Sequence, residues 1–208
     1  AVIEYENNLV LGTYGEGLLV LNEDNGKVSN FKLESKKPSK FVFRIRAYDD
    51  NLWIGGSDAP LTHFKKNRYV NTYSVGLVRC LIEGYDNINY VGTDTGFFEL
   101  NTRNASIRKI EKSVFNNINK IYDLDLDYVN NCIWIGSKNG LFKYNLSTEQ
   151  LENLGDNTNK RIGTVFSIKK DNMQNLYFAS VSGLWRYDIK NKFFRKYGVQ
   201  DGMLIDEF

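Results

Sequence analysis

Cys132–Asn145 reads CIWIGSKNGLFKYN. An apolar run ending at Gly136 is followed by a short polar turn closed by Gly140, then a second apolar run ending in Tyr144-Asn145. Two short β-rich runs joined through a glycine-containing turn read as an antiparallel hairpin. The hairpin recurs. Its counterparts are Leu9–Asn22 (LVLGTYGEGLLVLN), Leu52–Lys65 (LWIGGSDAPLTHFK), Asn89–Asn101 (NYVGTDTGFFELN) and Leu176–Asp188 (LYFASVSGLWRYD). The small residue closing the first run is Gly12, Gly55, Gly92, Gly136 and Ala179, at separations of 43, 37, 44 and 43 residues. A fixed period of about 40 residues with several short strands per period is the mark of a β-propeller. Solenoids of helix pairs have similar periods but need 3.6-residue hydrophobic periodicity, which no long segment shows.

Each period divides into four β segments. In the second they are Phe41–Tyr48, Leu52–Gly56, Leu61–Lys65 and Tyr69–Ser74. The first strand of a propeller blade lines the central channel and the fourth is outermost. The equivalent inner segments are Leu77–Glu83, Lys120–Asp127 and Thr164–Lys170. Val42, Val78, Ile121 and Val165 share one slot of these strands, and Ile45, Leu81, Leu124 and Ile168 share another three residues on. Asn and Asp crowd the turns before the second strands, as at Asp49-Asp50-Asn51 and Asp86-Asn87, because they tolerate left-handed backbone. The expectation is an all-β chain, a β-propeller or partial propeller of four-stranded antiparallel blades. It forms a single domain, 1–208, of five repeats, roughly 1–37, 38–74, 75–114, 115–158 and 159–208.

Composition agrees. Of 208 residues 42% are apolar and 14% aromatic, enough for a substantial core between packed sheets. A net charge of +2, from 27 basic and 25 acidic residues, gives no electrostatic case for nucleic acid or a membrane surface. No apolar run reaches the length of a membrane helix, and no signal peptide is visible. Cys80 and Cys132, each flanked by apolar residues, read as two buried free thiols. No CxxC pair and a single histidine argue against zinc.

The sequence around Cys132–Asn145 resembles the two-component regulator propeller repeat. The resemblance rests on Leu52-Trp53-Ile54-Gly55, on Ile133-Trp134-Ile135-Gly136-Ser137 with Gly140-Leu141, and on Gly183-Leu184-Trp185-Arg186-Tyr187-Asp188. The passage Phe194 to Leu204, with its Tyr197 and Asp201-Gly202, resembles the link between successive blades of that family. The resemblance implies a periplasmic sensor region of a hybrid two-component regulator that detects oligosaccharides. Its partners would be further propeller and immunoglobulin-like domains of a longer sensor, with a membrane helix and a histidine kinase beyond. Family propellers usually have seven blades, so five repeats suggest an incomplete ring, with five-bladed closure the alternative; Ile205–Phe208 reads as the start of a further blade or as a strand that pairs with the N-terminal sheet. Exposed sheet edges make a homo-oligomer a further expectation.

Several motifs invite chemistry. Gly12–Gly17 has the wrong glycine spacing and strands on both sides, so it reads as a hairpin turn rather than a phosphate loop. Asp123-Leu124-Asp125-Leu126-Asp127 lacks the glycine and glutamate that a calcium loop needs at its sixth and twelfth positions, and reads as a strand with one apolar face. His63 reads as a packed strand residue, with a general-base role the alternative. No catalytic residue, metal or cofactor is assigned, and Trp53, Trp134 and Trp185 are expected in blade cores. The candidate ligand contacts lie on the inner strands. Arg44, Arg79, Tyr122, Asp123 and Phe166 fall between the two apolar slots, and Lys40, Asn119 and Arg161 precede those strands at the same end. Polar groups beside aromatic faces suit sugars. The competing reading is inter-blade packing and salt bridges. A propeller lyase or glycosidase and a protein-interaction scaffold are the functional alternatives, and the irregular copies Gly12–Gly17 and Gly55–Pro60 are further places to look for binding.

Overall fold

Turns and strands fall where the repeat places them. The structure is a computed structural model that describes residues 1–34, 39–56, 60–110, 120–155 and 162–204. Ile205–Phe208 and most of the Gly56–Pro60 loop lie outside the described residues. The strands are β1 (Val2–Tyr5), β2 (Asn8–Gly12), β3 (Leu18–Leu21) and β4 (Val28–Asn30); β5 (Val42–Tyr48), β6 (Asn51–Gly56), β7 (Leu61–Lys65) and β8 (Arg68–Tyr73); β9 (Val78–Glu83), β10 (Ile88–Thr93), β11 (Phe97–Asn101) and β12 (Ser106–Lys109); β13 (Ile121–Asp127), β14 (Cys132–Ser137), β15 (Gly140–Asn145) and β16 (Leu151–Asn153); β17 (Val165–Lys170), β18 (Asn175–Ser180), β19 (Gly183–Asp188) and β20 (Phe193–Tyr197). Each group of four forms one antiparallel up-and-down sheet, giving five blade-like sheets. The one described helix of note is a single 3-10 turn, Val199–Asp201, in the Asp-Gly passage. Two compact units emerge. Ala1–Arg108 carries the first three sheets and Lys109–Phe208 the last two.

The recurrent residues have physical reasons. Glu6, Asn7, Asp49, Asp86, Asn87, Asn131 and Gln174 all take positive φ in the turns leading into second strands, the backbone state for which Asn and Asp are suited. Asn22, Asn101, Asn145 and Asp188, at or just past the ends of third strands, each accept backbone N–H bonds two or three residues on and so fix the next turn. The glycine slot is a close approach between sheets. A Cβ at Gly12 would stand 2.7 Å from Val42 Cγ1, one at Gly55 2.8 Å from Val78 Cβ, and one at Gly136 3.0 Å from Val165 Cγ1. The second strand of one blade thus lies under the first apolar slot of the next.

The three-residue spacing between the two apolar slots breaks strand alternation, and a bulge accounts for it. Register shifts occur between Val42 and Arg44, at Val78 opposite Gly92/Thr93, between Ile121 and Asp123, and between Val165 and Ser167. The extra residues are Phe43, Arg79, Tyr122 and Phe166. A bulge turns one side chain out of the sheet's alternation, so both flanking apolar residues stay buried, as at Val42 and Ile45.

Burial peaks in the second strand of a sheet and is least in the fourth. β14 is buried throughout, whereas β4 and β12 are exposed throughout. In the first unit Tyr5, Val10, Val42, Ile45, Leu52 and Phe64 form one core, and Trp53, Leu61, Val78, Leu81, Val91 and Leu100 belong to another. In the second unit Trp134, Val165, Phe178, Trp185, Tyr187 and Phe194 share a core. The tryptophans therefore sit in blade cores. Both cysteines are buried thiols outside any disulfide, and burial pushes the Cys132 thiol up to about 12.

Candidate ligand site

The bulges place the candidate residues. In the first unit Phe43 stands out of the sheet at 38% exposure, and Arg44 follows it, also exposed. The first-blade loop brings Tyr14 beside them. Thr13 Oγ1 donates to Gly17 O at 2.9 Å and accepts from Glu16 N at 3.1 Å, which closes the loop. Gly15 N and Gly17 N both donate to Lys40 O, at 2.9 and 3.0 Å, so Lys40 serves this site through its carbonyl while its side chain is exposed. Tyr14 is 78% exposed, and its ring lies 4.8 Å from Phe41 and 5.9 Å from Phe43. Three aromatic rings so gathered, one of them largely in solvent, are unusual away from a binding surface.

The guanidinium groups flank the rings. Arg44 Nε donates to Arg79 O, and Arg79 is paired with Asp94, both of these side chains about a quarter exposed. Phe43, Arg44, Leu77, Val78 and Arg79 line a cavity of about 280 Å³. Aromatic faces stack on C–H surfaces, and the guanidinium and carboxylate groups bond hydroxyls. Arg44, Arg79 and Lys40 are thus brought together. Phe41, Phe43 and Asp94 join them without having been singled out from the sequence, although the aromatic residue in the slot between the two apolar positions was a usable signal; Tyr14 comes from the irregular first-repeat loop that the sequence marked.

In the second unit the corresponding residues work between sheets. Tyr122 meets Phe166 edge to face at 5.5 Å. Asp123 accepts at Oδ2 from Ser167 Oγ (3.2 Å) and Ile168 N (2.9 Å), and at Oδ1 from Leu124 N (3.0 Å). Asp125 accepts from Lys170 N at 2.7 Å, and burial raises its pKa above the ordinary value. Asp127, 1% exposed, accepts from Val129 N, Asn130 N, Asn130 Nδ2 and Trp134 Nε1, with Lys170 Nζ 3.4 Å away. Burial pushes its carboxyl up, but the bonds from Asn130 and Trp134 and the Lys170 charge outweigh that and hold it below the usual range. The Asp-Leu-Asp-Leu-Asp run therefore stitches β13 to β17 and to its own turn. Among the described residues no group of His, Cys, Asp and Glu side chains could hold a metal ion. Asn119 and Arg161 lie outside the described residues.

A second cavity, of about 330 Å³, opens between the second and third sheets of the first unit, at the ends of the strands where β6 begins. Trp53 and His63 lie on its wall, stacked at 3.9 Å with their planes 3° apart. His63, 4% exposed, shares a 2.9 Å hydrogen bond through Nε2 with Asn51 Oδ1, while its buried Nδ1 has no partner. Burial, reinforced by the Lys65 charge, lowers its pKa to about 4, so the imidazole is neutral at pH 7.

No protein-family model matches the chain, and no curated protein matches it. Solved structures do. The extracellular domain of a one-component system from B. thetaiotaomicron superposes with a TM-score of 0.78 at 22% identity, over 100% of this chain and 28% of that one. The extracellular domain of a hybrid two-component system from the same organism gives 0.71 at 18% identity, over 90% of this chain and 26% of that one. PorZ, a surface component of the type-IX secretion system of Porphyromonas gingivalis, gives 0.75 at 15% identity, over 100% and 34%. The chain thus spans a quarter to a third of the length of these proteins, and what it shares with them is the fold. Among the described residues no helix is long and apolar enough to cross a membrane.

Proposed function

We propose that this chain is a ligand-sensing segment of the extracytoplasmic region of a bacterial two-component regulator, that it acts without catalysis, and that it detects an oligosaccharide. The observation that carries the reading is the exposed cluster of Tyr14, Phe41 and Phe43 beside Arg44 and the Arg79–Asp94 pair, on a fold shared with extracellular sensor domains. A sugar ring would stack on Tyr14 or Phe43 and bond through its hydroxyls to the guanidinium and carboxylate groups. Binding would favour one arrangement of this segment against the rest of the sensor, and a membrane-linked kinase would read that shift in population.

The test is calorimetric titration of the chain with a broad panel of oligosaccharides. At least one should bind, and Tyr14→Ala with Phe43→Ala should weaken it about tenfold or more, as expected for the loss of one or two ring contacts of about 0.5–1.5 kcal/mol each. A flat response across the panel would reject the oligosaccharide reading. Turnover of any member would replace sensing with catalysis.

A further inference from the structure

The cavity beside Trp53 and His63 departs from its own repeat in a consistent way. Trp53 and Trp134 occupy the same slot, two residues before the glycine of the second strand. Trp134 Nε1 donates to Asp127, and Asp127 ends its inner strand opposite Cys132. The residue that pairs in the same way in the second sheet is Tyr48, opposite Asn51, and its hydroxyl turns instead to Leu81 O at 3.2 Å. Trp53 Nε1 is left with no hydrogen-bond partner among the described residues. The Asn or Asp that closes the third strand elsewhere is here Lys65, opposite Asn51. Both structural residues of the corner have been exchanged, and Lys65, one of the two, lies on the wall of the cavity.

The groups around it define a chemistry. Asn51 Nδ2 donates to Tyr48 O, which leaves Asn51 Oδ1 facing His63 Nε2. The imidazole therefore carries its proton on Nε2 and holds a bare lone pair at Nδ1. Trp53 lines the cavity with an indole donor that a hydroxyl oxygen can accept from, while His63 Nδ1 is shut off from solvent. Lys65, Arg103 and Glu83 stand around the cavity with no ion pair among the described residues, two positive charges against one negative. Asn89, 4% exposed, adds an amide on the wall. Trp53 has one face covered by His63 and belongs to the core, so it offers no open ring for stacking, and recognition here must be polar. The volume is at the small end for ligand pockets, about 300–1,000 Å³.

We propose that this cavity is a second binding site, distinct from the aromatic cluster, and that it takes a small hydroxy carboxylate of sugar-acid size. The carboxylate pairs with Lys65 and Arg103, and hydroxyls reach toward the Trp53 indole, Asn89 and Glu83. The site rests on no part of the oligosaccharide reading.

The test titrates D-galacturonate, D-galactose and L-serine separately into the intact chain by calorimetry. Galacturonate should bind at least tenfold more tightly than galactose, which lacks the carboxylate, and than serine, which is zwitterionic. The double variant Lys65→Gln, Arg103→Gln, at exposed positions, should lose at least tenfold in galacturonate affinity with its melting temperature unchanged. Trp53→Phe should also weaken binding, while Tyr14→Ala should leave it intact, which separates this site from the aromatic cluster. No galacturonate binding at millimolar concentration, equal affinity for galactose, tighter binding of serine, or indifference to the double variant would each overturn the proposal.

Discussion

Trp134 and Trp53 stand at the same position of two repeats and live in opposite chemical circumstances. Trp134 has its indole N–H bonded to Asp127 at 3.1 Å, and that carboxylate is saturated by its own turn and by Lys170 from the neighbouring strand. Trp53 has no such partner, and His63 stacked on it keeps a buried nitrogen unbonded. The Trp134 corner closes on the Asp127 carboxylate, whereas beside the Trp53 cavity the buried His63 Nδ1 has no partner. Unmatched buried polar groups cost folding free energy. Their presence in an otherwise repetitive frame marks where the chain has given up stability, and the most regular repeat is accordingly the most structural one.

The comparison breaks most visibly at Asp127. Asp127→Ala leaves the Trp134 indole, the Asn130 amides and the 13% exposed Lys170 ammonium without their acceptor. Removing one partner of such a buried pair costs about 3–5 kcal/mol, and urea denaturation of the variant should show a loss of that order. A loss under 1 kcal/mol would mean that the corner is not the clasp described.

The smaller effect is at His63 and depends on pH. An unfolded histidine protonates through about pH 6.5, whereas the folded imidazole resists until about 4. Between these values the unfolded chain binds a proton that the folded chain refuses, so stability falls as pH is lowered from about 6.5 toward 4. The contribution is on the order of 1–3 kcal/mol. His63→Gln, which keeps a donor toward Asn51 but cannot titrate, should flatten that part of the stability profile relative to the parent. Identical profiles for the two proteins would contradict the buried neutral imidazole.

These two corners also show what the sequence could and could not convey. The period, the strands and the turns were legible because each rests on local chemistry that recurs in four of the five repeats: an Asx residue after the third strand, Asn or Asp at positive φ, a glycine at the end of the second strand. The paired apolar slots located the inner strands but disguised a bulge, since three-residue spacing fits neither strand nor helix alone. Arg44 and Arg79 come together because Arg44 follows the bulge of one strand and Arg79 is the bulge residue of the corresponding strand in the next sheet. Tyr14 joins them through a loop whose amides bind Lys40 O, a contact across blades with no local signature. Asp123 looked like a ligand contact in sequence, and its carboxylate is engaged with Ser167 and Ile168 of the next sheet. The Trp53 cavity was hidden because its meaning lies in what is missing, a carboxylate at Tyr48 and an Asx residue at Lys65, and absences emerge only once the blades are laid in register.

The three indole N–H groups offer the most direct test, because they report separately in a ¹⁵N NMR spectrum. Trp134 and Trp185 are bonded to Asp127 and Ser182, and Trp53 is not. The prediction is that the Trp53 indole proton exchanges with solvent fastest of the three and alone shifts when galacturonate is added. A Trp53 signal as protected as that of Trp134, or a ligand-induced shift at Trp134 or Trp185 instead, would contradict the division of this chain into sealed structural corners and an open polar one.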